Sequence, residues 1–292
     1  MNDILLLVGH GSRDPEGNRE IEVFAEQWRV RHPERVIEVC FIEFAEVLVE
    51  QGLDRAARYG ARVLVVPLIL NAAGHVKMEL PEHLEHARLR HPEVEFIYCP
   101  HLGSNQEILG ILKRNLDHAL QDMDRPDPLN TGIILLGRGS SDRVANGEVA
   151  KMARWLYEEG HHPMVDIAFT GITFPRLESV VQRQVTLGMS QIIILPYYLF
   201  TGTLISRIKR QHATLQQQYP HIRFGLAHYL GFEEEIYELL EQRVQQARDI
   251  EAPRMMECDG CKYREWAADH GEGHHHHGAS ETIGSGTPVL VG

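Results

Sequence analysis

The chain repeats itself. At an offset of 128 residues, which sets His10 against Arg138, Val8-Gly9-His10-Gly11-Ser12-Arg13-Asp14 aligns with Leu136-Gly137-Arg138-Gly139-Ser140-Ser141-Asp142. Asn18 and Glu20 then meet Asn146 and Glu148 without a gap, and Gly60, Pro92 and Phe96 meet Gly188, Pro220 and Phe224. Only Pro67 and Pro196 need a one-residue slip. A chain of 292 residues built this way holds two similar units, each near the common domain size. The boundaries read as 1–121 and 132–249, joined by a linker over 122–131 rich in aspartate and proline. A tail over 250–292, where the apolar periodicity stops, completes the chain.

Within each unit, short β-branched or leucine-rich runs alternate with longer amphipathic stretches. Strands are expected near 3–8, 36–42, 62–67 and 94–99, with helices near 16–31, 46–59, 76–90 and 106–121. The second unit repeats the order, with strands near 132–136, 164–169, 191–195 and 222–227. Strict strand–helix alternation implies a parallel sheet covered on both faces, and right-handed crossovers leave few topologies. The expected fold class is therefore α/β: two tandem flavodoxin-like units related by a pseudo-twofold, each a four-stranded parallel sheet in the order 2-1-3-4.

In such sheets ligands bind beyond the carboxyl ends of the strands, where strand order reverses. His10 follows the first strand and His75 the third, so the two imidazoles are expected to face each other across that crevice. Glu43 closes the second strand and Glu46 follows on the same edge. In the second unit these four positions hold Arg138, Thr203, Gly171 and Phe174. The scaffold is kept twice and the imidazoles once, which marks His10 and His75 as functional rather than architectural. Imidazole nitrogen with carboxylate oxygen suits cobalt, nickel, iron or zinc, and imidazole also accepts protons near neutral pH. The expected metal ligands are His10, His75, Glu43 and Glu46, with His10, His75 and Glu43 carrying the chemistry. The second unit contributes Arg138 and the run Tyr197-Tyr198-Leu199-Phe200, which reads either as a surface for a flat anionic ligand or as core.

Gly9-His10-Gly11-Ser12-Arg13, Phe41-Ile42-Glu43-Phe44-Ala45-Glu46, Val65-Val66-Pro67-Leu68 and Gly74-His75 resemble the motifs of the class II chelatases, in the long two-unit CbiX type. The resemblance covers residues 3–245, and so implies two chelatase-like units. It extends to the tail, where Met256-Glu257-Cys258-Asp259-Gly260-Cys261 and His274–His277 look like the cysteine and histidine segments of long members. It implies insertion of Co²⁺, as substrate, into sirohydrochlorin on the anaerobic cobalamin route without ATP. Ser12, Arg13 and Arg138 would hold the macrocycle. Insertion of iron for sirohaem, or of nickel, remains open on the same residues. By resemblance the tail carries a 4Fe-4S cluster. Cys258 and Cys261 supply only two thiolates, so a cluster needs two chains to pool four, and an inert or redox-sensitive pair is the alternative. His274, His275, His276 and His277 read as a divalent-metal buffer or feeder. The chain is thus a monomer that mimics a dimer, or a homodimer through its tail.

A net charge of −12 excludes a nucleic-acid partner held by bulk electrostatics. No run approaches the ~20 apolar residues of a membrane span. Ile4–Val8 is too short for a secretory apolar region, so a cytoplasmic protein is expected. Cys40 and Cys99 lie in apolar strands and read as core residues. Two other readings compete. One is a histidine phosphatase, disfavoured because Gly9 stands where an arginine clamp is needed; the other is a metal store indifferent to His10 and His75.

Overall fold

The computed structural model describes residues 3–248. The first half carries β1 (Ile4–Gly9), β2 (Val36–Phe41), β3 (Arg62–Pro67) and β4 (Glu95–Tyr98); the second carries β5 (Thr131–Gly137), β6 (Met164–Phe169), β7 (Gln191–Pro196) and β8 (Arg223–Leu226). Both sheets are wholly parallel, in the orders β2-β1-β3-β4 and β6-β5-β7-β8, as the alternation predicts. The registers are equivalent too. Ile4 pairs with Val36 as Gly132 pairs with Met164, and the one-residue slip enters where Ile4 meets Val63 while Gly132 meets Ile192.

Among the described residues eight α-helices cover the sheets: α1 (Pro15–Arg31), α2 (Val49–Ala56), α3 (Leu80–Arg90), α4 (Gln106–Asp122), α5 (Arg143–Glu159), α6 (Leu177–Thr186), α7 (Thr203–Gln218) and α8 (Glu234–Arg248). Because both faces of each sheet are buried, the strands are apolar throughout, and alternate residues sort into different cores. Leu5 and Leu7 face a central cluster that also holds Leu64, Val66, Ile133, Leu135, Ile193 and Leu195. Ile4, Leu6 and Val8 face an outer cluster with the buried faces of α2 and α3, and Ile134 and Leu136 face its counterpart with α6 and α7. The buried faces of α1, α4, α5 and α8 all lie in the central cluster. One core therefore serves both halves.

That sharing departs from the boundaries read off the repeat. Helix α4, at the end of the first repeat, packs on β7 and β8, and α8 packs on β3. Asn115 of α4 donates to the carbonyls of His228 and Tyr229 at 3.2 and 3.0 Å, and Arg243 of α8 donates to those of His101 and Leu102 at 2.9 and 2.6 Å. Phe24 of α1 stacks on Tyr237 of α8 with ring centroids 4.2 Å apart. Segments 1–121 and 132–249 are thus repeats in sequence, while each sheet is completed by the other's last helix. The linker adds a short 3₁₀ turn, Pro128–Asn130. Among the described residues no helix is long and apolar enough to cross a membrane.

Two local departures shape the functional edge. The expected helix over 46–59 starts only at Val49, because after β2 the chain loops back: Phe41 N–H donates to Val47 C=O at 2.8 Å and Phe41 bridges Leu48. Helix α3 is preceded by a π-helical turn, His75–Glu79, closed by the Leu80 N–H on the His75 carbonyl. Pro81, just beyond, has no N–H to donate back to Lys77, so the normal ladder is interrupted at this point.

Candidate functional site

The repeated residues turn out to be loop scaffold. Asn18 accepts from the Ser12 N–H at 2.7 Å and donates to its carbonyl at 2.9 Å, and Ser12 Oγ accepts from Asp14 N–H at 3.1 Å. Asn146, Ser140 and Asp142 reproduce these bonds at 2.9, 2.8 and 3.0 Å. Asp14 and Asp142 then cap α1 and α5. Gly11 sits at φ +88°, and a Cβ there would lie 1.7 Å from the Glu43 carbonyl oxygen. Gly139 repeats the arrangement at φ +86° against the Gly171 carbonyl oxygen, at 2.3 Å. Only glycine permits so close a crossing.

That crossing positions Glu43. The β1–β2 ladder continues past the strand ends, with Ile42 N–H on Gly9 C=O at 3.0 Å and Glu43 N–H on His10 C=O at 3.1 Å. His75 enters from beyond β3 at the head of the π-helical turn. The rings of His10 and His75 lie edge to face, with centroids 4.9 Å apart. One donor atom from each of His10, Glu43 and His75 falls within 4.8 Å of the others, the one such cluster among the described residues. All three are partly buried, so a cation could be held while still being reached from solvent.

Hydrogen bonding assigns the tautomers. Arg138 Nη1 lies 2.8 Å from His10 Nε2, and guanidinium can only donate, so Nε2 is the acceptor and Nδ1 carries the proton. Nδ1 faces the Gly11 carbonyl at 3.1 Å and Glu43 Oε1 at 3.5 Å. Burial, the Arg138 charge and the neighbouring His75 together push His10 down to about 4, so its contact with Glu43 at neutral pH is that of an uncharged ring. His75 behaves oppositely. Its Nδ1 donates to Glu79 Oε2 at 2.7 Å, which raises its pKa above the ordinary value against the pull of burial and leaves Nε2 with a free lone pair. Burial raises Glu43 as well, partly opposed by His75 and Arg138.

The structure thus brings His10, His75, Glu43 and Arg138 together, and Arg138 is the repeat counterpart of His10. It does not bring Glu46. The returning loop leaves Glu46 exposed, beside Val47, Gln51, Asp54 and Arg58 on the outside of α2, and removes it from the metal ligands expected above. Glu79, which bonds His75 Nδ1 and stands outside the ligand cluster, was missed; a carboxylate four residues after His75 was the available signal. Ser12 commits both backbone groups and a hydroxyl lone pair to its own loop. Arg13 is exposed, its guanidinium 4.8 Å over the Phe44 ring, and in the second half Arg176 lies 4.7 Å over Phe174. Phe44 and Phe174 are unusually exposed for their size, at 46% and 74%. Tyr197 and Phe200 are core rather than ligand surface. Lys77, in the π-helical turn, bonds Asp142 across the halves at 2.6 Å. Cys258, Cys261 and His274–His277 lie outside the described residues.

Known proteins resemble this chain. A curated sirohydrochlorin cobaltochelatase of Priestia megaterium is 38% identical over 273 residues, covering 92% of this chain and 87% of that protein. Two solved structures superpose on this chain. SirB from Bacillus subtilis with Fe³⁺ has a TM-score of 0.72 at 29% identity, over 85% of this chain and 96% of that one. The sirohydrochlorin chelatase SirB from Bacillus subtilis subspecies spizizenii in complex with cobalt scores 0.70 at 27% identity, over 86% and 97%. A family model described as CbiX matches twice, at residues 4–119 and 132–247, so each half separately carries the signature and the chain belongs to the CbiX family.

Proposed function

We propose that this protein inserts a divalent metal, Co²⁺, into sirohydrochlorin on the anaerobic route to cobalamin, without ATP. The observation that carries this reading is the cluster of His10, Glu43 and His75, whose donor atoms lie within 4.8 Å of one another beside Arg138 of the second half. Two imidazoles and a carboxylate hold a borderline cation firmly enough to present it and loosely enough to lose it. The name of the Priestia megaterium relative and the cobalt complex of SirB support cobalt as the metal.

The macrocycle gives up two ring N–H protons as the ion enters, and the two histidines divide the work. His10, held neutral down to about 4, is a ligand and a poor base. His75, made more basic by Glu79, and Glu43, raised by burial, take up the protons and pass them to solvent. The exposed Phe44 and Phe174 offer apolar faces to the ring, and Arg13, Arg138 and Arg176 offer guanidinium groups to its carboxylates. Ser12 shapes the loop that carries Arg13. Both halves of one chain contribute, so a monomer suffices. The histidine run of the tail, in this reading, buffers or feeds divalent metal.

The test is to mix purified protein, and its His10→Ala and His75→Ala variants, with sirohydrochlorin and Co²⁺ and to follow the absorption spectrum. Insertion should be lost in both variants with the fold intact; near-wild-type turnover in both refutes the assignment. Iron is the second reading, favoured by the Fe³⁺ structure of SirB, and a parallel series with Fe²⁺ decides between them.

A further inference from the structure

The side chain nearest the lone pair of His10 is not an acid, a water-binding group or another ligand. It is a cation. Arg138 Nη1 donates to His10 Nε2 at 2.8 Å, and its charge is felt at His10, Glu43 and His75 alike. Nε2 is the ring nitrogen that an incoming metal needs, because Nδ1 carries the proton. A guanidinium on that nitrogen excludes the metal by volume and repels it by charge. It also balances the carboxylates of Glu43 and Glu79 around the same opening.

Arg138 is built to move. Its main chain is pinned: its carbonyl accepts from Gly171 N–H at 3.0 Å and from Thr170 Oγ1 at 3.4 Å, and Gly139 beside it is locked against the Gly171 carbonyl. Its side chain is exposed, and among the described contacts His10 Nε2 is the acceptor of its guanidinium. The group can therefore swing away without disturbing the loop. The second half places this arginine where the first half places His10, so the swap from imidazole to guanidinium puts a movable charge directly across the groove from the ligand it covers.

We propose that Arg138 is a resident counter-cation that occupies the His10 end of the metal site and leaves it only when a carboxylate of the macrocycle draws it off. Metal binding is thereby made to follow macrocycle binding, and a free divalent cation is not trapped unproductively. A carboxylate outcompetes imidazole for guanidinium because it is charged and can accept two parallel bonds. The inference rests on the chelatase reading and adds to it a reason for the order of binding.

The experiment is a titration of the full-length protein with Co²⁺ alone, by calorimetry and by the d–d absorption of the bound ion. Wild type, Arg138→Met and Arg138→Gln are each compared with the same protein carrying His10→Ala. The His10-dependent part of the signal isolates this site from the tail histidines. Removing the guanidinium should tighten that part by about tenfold or more, since the metal no longer displaces a charge-assisted bond. In steady-state insertion the same variants should show a lower KM for Co²⁺ and a higher KM for sirohydrochlorin. Unchanged or weaker His10-dependent binding in both variants overturns the proposal, as do two KM values that move in the same direction. The titration needs no turnover. Failure of insertion in the wild type would strike the chelatase reading while leaving the titration to judge Arg138.

Discussion

Replacing Glu79 with glutamine separates the roles of the two histidines by their response to pH. Glu79 accepts from His75 Nδ1 at 2.7 Å, with both side chains about one-third exposed. Glutamine keeps the length and an acceptor oxygen but removes the charge. A charge-assisted bond contributes ~1.5–3 kcal/mol, about twice a neutral one. Taking the difference, with partial solvent screening, leaves a loss of roughly 0.7 kcal/mol, or about threefold in affinity for the metal at pH 8. The acid limb should move the other way. His75 ligates only when unprotonated, so activity is present above its folded pKa and is lost as pH falls through it. Glu79 raises that pKa above the ordinary value, so the acid limb of the wild type lies above about 6.5. In Glu79→Gln the limb shifts to lower pH, and the variant is weaker at pH 8 yet less sensitive to acid. His10 contributes less to such a limb, because burial holds it well below the ordinary value. The assay is initial insertion rate against pH at sub-saturating Co²⁺, for wild type, Glu79→Gln and Glu79→Ala. An acid limb that stays in place, or moves upward, refutes the division of labour between the imidazoles.

Gly11→Ala should cut insertion about a hundredfold, because a Cβ 1.7 Å from the Glu43 carbonyl must push that segment aside and misplace a ligand. Gly147→Ala, where an added Cβ meets nothing within 4 Å, serves as the control and should insert metal at the wild-type rate. Phe24→Ala should cost ~3–5 kcal/mol in urea unfolding, since the ring is fully buried and stacked on Tyr237 of the other half. Because α1, α4, α5 and α8 share one core, unfolding should remain a single transition by tryptophan fluorescence and by circular dichroism. Two separated transitions would falsify the shared core. For the same reason residues 1–121 expressed alone should fail to fold stably: they carry α4 away from β7 and β8 and lack the α8 that packs on β3.

The parallel sheets and the pairing of His10 with His75 were legible from local signals. Apolar runs in alternation with amphipathic ones identify buried parallel strands, and strand order follows from handedness. The joint absence of both imidazoles from the second copy then singles them out without any contact being known. Glu46 was misplaced for a reason of the same kind. Helical periodicity near 46–59 carries no information about a backbone hydrogen bond from Phe41 to Val47, which draws the preceding residues into a loop and turns the acid outward. Glu79 was overlooked although its place four residues after His75 is the spacing at which helical side chains meet. What the sequence does not single out is which of the several acids along this stretch bonds the imidazole.

Periodicity, repetition and glycine placement act over a few residues or through exact internal comparison, so they specify two βα units, the crevice of each, and the half that holds the imidazoles. The exchange of α4 and α8 between sheets, and the contact of Arg138 with His10, depend on how two equal apolar surfaces meet. Hydrophobic burial is non-directional, and it rewards any helix that covers a sheet, its own or its neighbour's. Which helix covers which sheet, and so which arginine faces the metal ligands, is settled by packing in three dimensions.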